Sequence, residues 1–92
     1  MILGKFEKQP GEIESYTYDP SDDLDPGDEA QTVTASVDKP GLSIMAATIV
    51  YGQAKVWLSG GEDGVDYKVT VVVDTSSGRR LEDEFIIKVR ER

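Results

Sequence analysis

The chain has 92 residues, of which 38% are apolar, and this content suffices for one modest hydrophobic core but not for two. Its 18 acidic and 10 basic residues give a net charge of −8, which repels the phosphates of nucleic acids and the headgroups of anionic lipids. We therefore expect a single domain spanning residues 1–92, with neither nucleic acid nor membrane as a partner.

The sequence contains no cysteine, so disulfides and thiolate chemistry are excluded. No apolar run approaches the roughly 20 residues that a membrane-spanning helix needs. The opening residues 1–4 are too short for the core of a signal peptide. These features favour an intracellular origin without export.

Glycine and proline recur along the chain at the spacing expected of short β-strands joined by tight loops. These turn formers are Pro10-Gly11, Pro20, Pro26-Gly27, Pro40-Gly41, Gly52, Gly60-Gly61, Gly64 and Gly78. The pattern predicts an all-β fold, an immunoglobulin-like β-sandwich of six or seven mostly antiparallel strands.

The first part of the chain predicts up to three strands. Residues 1–9 form either an edge strand or an arm that lies on a neighbouring protein. Two further strands are predicted near residues 12–18 and 29–37. The side chains that the second of these should bury are Val33, Ala35 and Val37.

Residues 42–51 fit two kinds of secondary structure. A helix would place an apolar stripe on one face, whereas the short distance between the flanking turn formers and the run of strand-forming residues at 48–51 favour a strand. The strand would form a hairpin through a two-residue turn at Gly52-Gln53. The pairs predicted by this turn are Tyr51 with Ala54, Ile49 with Val56 and Ala47 with Leu58.

The last two strands predict a hairpin with a defined register. A two-residue turn would set Val71 and Val73 opposite glutamates, on the face that must be buried. A three-residue loop of residues 76–78, with Gly78 in the left-handed position, avoids this conflict. The pairs that it predicts are Tyr67 with Ile87, Val69 with Phe85, Val73 with Leu81, Asp66 with Lys88 and Asp74 with Arg80.

The acidic loop, residues 19–29, has the only clustered ligands that suit a metal such as calcium. Its spacing does not fit an EF-hand, because Leu24 stands where that loop needs glycine and Ala30 where it needs glutamate. A solvated loop is therefore favoured, with no metal or other cofactor predicted. The weak metal-ligand candidates are Asp19, Asp23 and Asp25.

Catalysis has little support in the sequence. Histidine and cysteine are both absent, which removes the commonest general base and two common nucleophiles. Carboxylate pairs such as Glu82 and Glu84 are more simply explained as solubilising charge on an exposed strand face. We therefore expect no enzymatic activity.

Trp57 is the strongest candidate for a partner-binding residue. If Val56 and Leu58 are buried, alternation turns Trp57 outward, where tryptophan often anchors an interface. The opposite strand orientation, or a covering loop, would make it a core residue instead. Val72 and Ile86 point to the outer face of the last hairpin and could form an apolar patch.

Tyr67 lies near the start of a predicted strand, two residues before Val69. This is the position of the corner tyrosine of the immunoglobulin fold, with Val69 in place of the second cysteine. An ordinary core tyrosine is the alternative interpretation.

Several segments together resemble small structural proteins of tailed bacteriophages and prophages, described as fibre-tail adaptors or head-tail-associated proteins. The run from Val56 to Val69, with its Trp-Leu-Ser-Gly-Gly ending and Gly-x-x-Tyr, carries the likeness, together with residues 77–79 and 85–89. Residues 10–12, 16–19 and 40–42 extend it over most of the chain.

The resemblance implies a virion structural protein, an immunoglobulin-like adaptor at the tail, fibre or neck, present in several copies or as a homo-oligomer. Other virion structural proteins would be its partners. The alternatives are a capsid decoration protein and a bacterial adhesion module that binds calcium through the acidic loop. The predicted partner-binding residues are Trp57, Val72 and Ile86, with Ile2, Leu3 and Phe6 on the N-terminal arm.

Overall fold

The computed structural model describes residues 2–91, with side chains described from residue 4 onward, so the predicted contacts of the Ile2 and Leu3 side chains lie outside the described part. The described chain contains seven strands and one short 3-10 turn at Ser21–Asp23. The strands are β1 Ile2–Lys8, β2 Ile13–Tyr18, β3 Ala30–Val37, β4 Leu42–Val50, β5 Gln53–Gly60, β6 Asp66–Thr75 and β7 Arg80–Val89.

The strands form two sheets, and the all-β sandwich predicted from the sequence is confirmed. The four-stranded sheet has the order β1-β7-β6-β3, and the three-stranded sheet has the order β2-β5-β4. The orders β7-β6-β3 and β2-β5-β4 are those of strands G-F-C and B-E-D in an immunoglobulin domain. All pairings are antiparallel except that of β1 with β7, which is parallel.

The core lies between the sheets and is built from alternate residues of the central strands. Period-two alternation places every second side chain of β5, β6 and β7 on the inner face, where branched aliphatic side chains pack well. The fully buried members of the core are Ala54, Leu58, Tyr67, Val69, Val71, Val73, Ile87 and Val89. Val33, Ala35 and Val37 of β3 pack against this cluster as predicted.

The β6–β7 hairpin has the predicted register. Val69 pairs with Phe85, and Val73 pairs with Leu81. Gly78 has the left-handed φ of 88° that the three-residue loop requires. The Arg80 guanidinium also lies 2.7 Å from the Asp74 carboxylate, so the expected cross-strand pair forms.

The β4–β5 hairpin exists, but its predicted register is wrong. Val50 pairs with Gln53, so the two turn residues are Tyr51 and Gly52, both with positive φ of 50° and 77°. This is the geometry of a type I′ turn, which tyrosine rarely enters, and the sequence therefore gave no reason to place Tyr51 there.

A bulge in β4 explains why the apolar residues of this segment also fit the spacing of a helix. The pairing shifts between Ile44 and Ala46, so Met45 is the extra residue. Because of it, Ile44 and Ala47 pack against the core on the same face although they are three residues apart. The apolar spacing that suggests a helix is thus produced by a bulged strand.

The β1 strand is an edge strand fixed at its end by a buried lysine. The ammonium of Lys8, which is fully buried, donates hydrogen bonds to the carbonyl oxygens of Gly60 at 2.6 Å and Gln9 at 2.9 Å. Desolvation lowers the pKa of Lys8 from its usual value, although the negative charges of Glu12 and Glu14 act to raise it. This contact ties the four-stranded sheet to the end of β5.

Candidate partner-binding face

Trp57 lies at the centre of the outer surface of the three-stranded sheet. Val56 and Leu58 are buried at 1% and 0% exposure, so Trp57 points away from the core and is 37% exposed. Its neighbours across the strands are Ser15 and Ala46. The indole therefore lies on the outer face of the sheet beside two small residues, and the expected outward orientation is confirmed.

The outward positions of this sheet share a composition that is unusual for so acidic a chain. We call them the Trp57 face, and they are Ile13, Ser15, Thr17, Ser43, Met45, Ala46, Thr48, Val50, Gln53, Lys55, Trp57 and Ser59. None of these residues is acidic, although the sequence contains 18 carboxylates. Aromatic and methionine side chains with few charges are characteristic of the centre of protein interfaces.

Lys55 gives the Trp57 face its one charge. Its ammonium lies 5.4 Å from the centre of the Trp57 ring, within the range of a cation–π contact. Large apolar side chains flank this pair, with Met45 60% exposed on the β4 bulge and Ile13 59% exposed at the start of β2. The face therefore offers an aromatic anchor, exposed apolar groups and short hydroxyl side chains.

The outer surface of the four-stranded sheet has the opposite character. Its strands present cross-strand ion pairs such as Lys68 with Glu84 at 3.3 Å. Val72 and Ile86 both lie on this surface and are partly buried among such side chains. Ile86 pairs with Lys68, so Val72 lies four residues further along β6, or about 13 Å away, and the two do not form one patch.

Phe6 lies at the edge of the sandwich between the two sheets. It is 43% exposed, and its ring packs at 5.3 Å from Tyr16 and 6.0 Å from Phe85, measured between ring centres. The contacts are thus within the chain, across the side where β1 and β2 meet. The structure places Phe6, the Val72 surface and Trp57 in three separate regions.

The carboxylates of the acidic loop have separate partners within the chain. Asp19 accepts a hydrogen bond from the Ser21 backbone N–H at 3.0 Å, Asp23 accepts one from the Tyr18 hydroxyl at 3.2 Å, and Asp25 lies 3.6 Å from the Arg79 guanidinium. Over residues 2–91, no group of three or more potential ligands is arranged to hold a metal ion.

Asp28 has a structural role that the sequence pattern did not reveal. Its carboxylate accepts hydrogen bonds from the Ser77 hydroxyl at 2.7 Å, the Ser77 backbone N–H at 2.9 Å and the Ser76 hydroxyl at 2.8 Å. Partial desolvation acts in the opposite direction, but these hydrogen bonds hold the pKa of Asp28 well below its usual value. Asp28 thereby ties the acidic loop to the β6–β7 turn.

A buried carboxylate lies near the same end of the core. Asp83 is 4% exposed on the inner face of β7, opposite Val71. Burial, and then the charges of Asp83 and Asp23, raise the pKa of the Tyr18 phenol above its usual range. Alternation along Leu81, Asp83 and Phe85 is the signal from which this position could have been predicted.

A comparison with protein families identifies the chain. The family of the podophage GP4 fiber-tail adaptor protein gp77 matches residues 8–88. The chain belongs to this family. A comparison with curated proteins gives no match.

The part of the chain shared with the fibre-tail adaptor family includes the whole Trp57 face. It runs from Lys8 to Lys88 and so contains β2 to β6 and most of β7. The predicted arm residues Ile2, Leu3 and Phe6 precede it. None of the helical segments in the described residues has the length and apolar character of a bilayer-crossing helix.

Proposed function

We propose that this protein is an immunoglobulin-like structural component of the phage virion that joins other proteins where fibres meet the tail, and that one of these partners covers the Trp57 face. Family membership supports a tail adaptor role and points away from catalysis. The observation that carries the proposed surface is a carboxylate-free face, centred on Trp57, in a chain with a net charge of −8.

The size of the Trp57 face bears on how such contacts are made. Three strands about 4.8 Å apart and about eight residues long cover on the order of 400 Å², whereas one side of a standard interface buries about 800 Å². A single contact through this face is therefore modest. We propose that it extends onto neighbouring loops and is repeated over several copies of the protein in the virion, as multivalent binding permits.

The test compares alanine variants on the two outer surfaces. Trp57→Ala removes the anchor of the proposed face, and Val72→Ala is the matched control on the four-stranded sheet. Incorporation into particles is measured by quantitative mass spectrometry after each variant is supplied to a phage that lacks the native gene. We expect Trp57→Ala to weaken incorporation strongly, since truncation of a central tryptophan costs about 2 kcal/mol or more of binding.

Trp57 also provides a direct signal, because it is the sole tryptophan of the chain. Its fluorescence should shift to shorter wavelength when a purified tail or fibre protein covers the face. Normal incorporation of Trp57→Ala, together with loss of incorporation for Val72→Ala, would place the partner on the four-stranded sheet.

A further inference from the structure

A cleft of about 510 Å³ opens at one end of the sandwich, between the acidic loop and the β4–β5 turn. It adjoins the Trp57 face, since Gln53 at the start of β5 belongs to both. The residues that give it its chemistry are Asp19, Leu24, Asp28, Glu29, Ala30 and Tyr51. Carboxylates, short apolar groups and one aromatic ring therefore line a single concave surface.

Tyr51 is the unusual member of this lining. Its side chain is fully exposed at 101%, so it buries no surface in the isolated chain. Its φ of 50° is left-handed, a conformation in which asparagine or glycine is preferred at the first central position of a type I′ turn. Tyr51 thus adds no packing to the fold and occupies a backbone position that disfavours it.

The negative charge of the cleft favours a positively charged ligand. Its lining includes three acidic residues, Asp19, Asp28 and Glu29, and no basic one, together with the exposed Tyr51. A guanidinium group pairs with carboxylates and stacks on aromatic rings, and it is more weakly hydrated than an ammonium group. Leu24 and Ala30 supply apolar surface for the methylene groups of the same side chain.

The acidic loop already binds one guanidinium group of the chain itself. Arg79 donates a hydrogen bond to the carbonyl oxygen of Asp23 at 2.8 Å and lies 3.6 Å from the Asp25 carboxylate. These contacts use Asp23 and Asp25, neither of which lines the cleft. Within the cleft, Asp28 is engaged by Ser76 and Ser77, and Asp19 accepts hydrogen bonds from the Ser21 backbone N–H at 3.0 Å and the Gln53 amide at 3.3 Å. Glu29 is exposed at the cleft.

We propose that this cleft is a second docking surface, which binds an arginine side chain presented by a basic segment of a partner protein. The partner's arginine stacks on Tyr51 and faces the carboxylates of Asp19 and Glu29. The cleft shares Gln53 alone with the Trp57 face, and binding in the cleft does not depend on that face being an interface. An adaptor needs two such surfaces, since it must contact two neighbours at once.

The experiment uses a capped peptide in which three arginines alternate with glycine, and the same peptide with neutral citrulline in place of arginine. Each is titrated into the full chain while backbone amide signals are followed by NMR. We expect the arginine peptide to shift the signals of Leu24, Ala30 and Gly52, and the citrulline peptide to leave them unchanged.

Three variants test the role of each group. Tyr51→Asn leaves the charge unchanged and gives the Asn-Gly sequence that this turn prefers, so it should fold with an equal or higher melting temperature. It should bind the arginine peptide about three- to five-fold more weakly, the loss expected for one cation–π contact. Glu29→Gln should also weaken binding, whereas Glu82→Gln, which removes the same charge from the four-stranded sheet, should not.

Two results would overturn the proposal. One is a set of amide shifts spread over the whole acidic surface, equally reduced by Glu29→Gln and Glu82→Gln, which would indicate general attraction of a cation. The other is unchanged binding by folded Tyr51→Asn. Neither result bears on Trp57→Ala, so the two surfaces are tested separately.

Discussion

The hydroxyl oxygen of Tyr67 lies 2.5 Å from the point where a Cβ atom on Gly41 would stand. The same oxygen accepts a hydrogen bond from the backbone N–H of Glu62 at 3.0 Å, and Tyr67 is fully buried. This is the tyrosine corner predicted from the spacing of Tyr67 and Val69. The Tyr67 hydroxyl thereby fixes the β5–β6 connection through Glu62. It also leaves no room for a side chain at Gly41, in the β3–β4 connection.

Gly41→Ala should therefore destabilise the fold more than the same change at another left-handed glycine. The added methyl meets the Tyr67 hydroxyl, and φ at Gly41 is 117°. Gly64→Ala is the control, since its φ is 86° but nothing lies within 4 Å of the added atom. We expect a loss of about 2–4 kcal/mol for Gly41→Ala and about 1–2 kcal/mol for the control, measured by urea unfolding. Equal losses would show that the corner adapts.

Trp57→Ala should cost little folding stability compared with truncation of its neighbour. Leu58 is fully buried, and its replacement by alanine should cost about 2–5 kcal/mol. Trp57 keeps 37% of its surface exposed on the outer side of the sheet, so we expect a smaller loss of about 1–2 kcal/mol. Urea unfolding of both variants decides this, and a loss at Trp57 similar to that at Leu58 would make Trp57 a core residue.

Asp28→Asn should lower thermal stability at neutral pH, because it weakens the acceptor of hydrogen bonds from Ser76 and Ser77. The folded state depresses the Asp28 pKa, so its stabilising effect is complete above the unfolded pKa of about 4 and disappears as the pH falls through the native value. The difference in melting temperature between wild type and variant should shrink in acid. Asp22→Asn, at an exposed position in the same loop, is the control. An equal effect there would show that the change in net charge, and not the loss of hydrogen bonds, lowers the melting temperature.

Lys8→Met should destabilise the fold although it removes a desolvated charge. The variant keeps the buried aliphatic stem but leaves the Gly60 carbonyl oxygen without the ammonium donor at 2.6 Å. We expect a loss of about 1–3 kcal/mol in urea unfolding, the usual consequence of an unsatisfied buried polar group. Lys5→Met, on the exposed side of the same strand, should change little. A more stable Lys8→Met would show that the desolvation cost of the ammonium group outweighs its hydrogen bonds.

The sequence predicted the features for which the alternative arrangement would bury charged side chains or expose apolar ones, at a large cost in folding free energy. The β6–β7 register followed from the cost of placing Glu82 and Glu84 opposite Val73 and Val71, and the pairing of Val69 with Phe85 agrees. The observed register still places one carboxylate, that of Asp83, opposite Val71. The outward direction of Trp57 followed from the burial of Val56 and Leu58 in the same way. Alternation fixes such side chains because one face of the sheet must be apolar.

The sequence did not predict the structure at positions where the fold overrides the conformational preference of the residue. Tyr51 in a left-handed turn position and the Met45 bulge both depart from what their residue types favour, so the β4–β5 register could not be derived. The cleft beside Tyr51 was missed for the same reason, since it depends on where that turn lies. The sequence does not distinguish Asp28 from the other acidic residues of its loop, because its serine partners are 48 and 49 residues away in sequence.

The parallel pairing of β1 with β7 has a mechanical consequence. The start of β1 and the end of β7 lie at opposite ends of their shared ladder, since Ile2 pairs with Glu84 and Lys8 with Val89. Tension applied between these two ends would load the interstrand hydrogen bonds in shear, so that they must yield together and not one after another. The Lys8 ammonium, bound to Gly60 on the other sheet, would resist the same displacement. Because forced unfolding is governed by the unfolding rate, this geometry suits a part that carries load between a fibre and a tail.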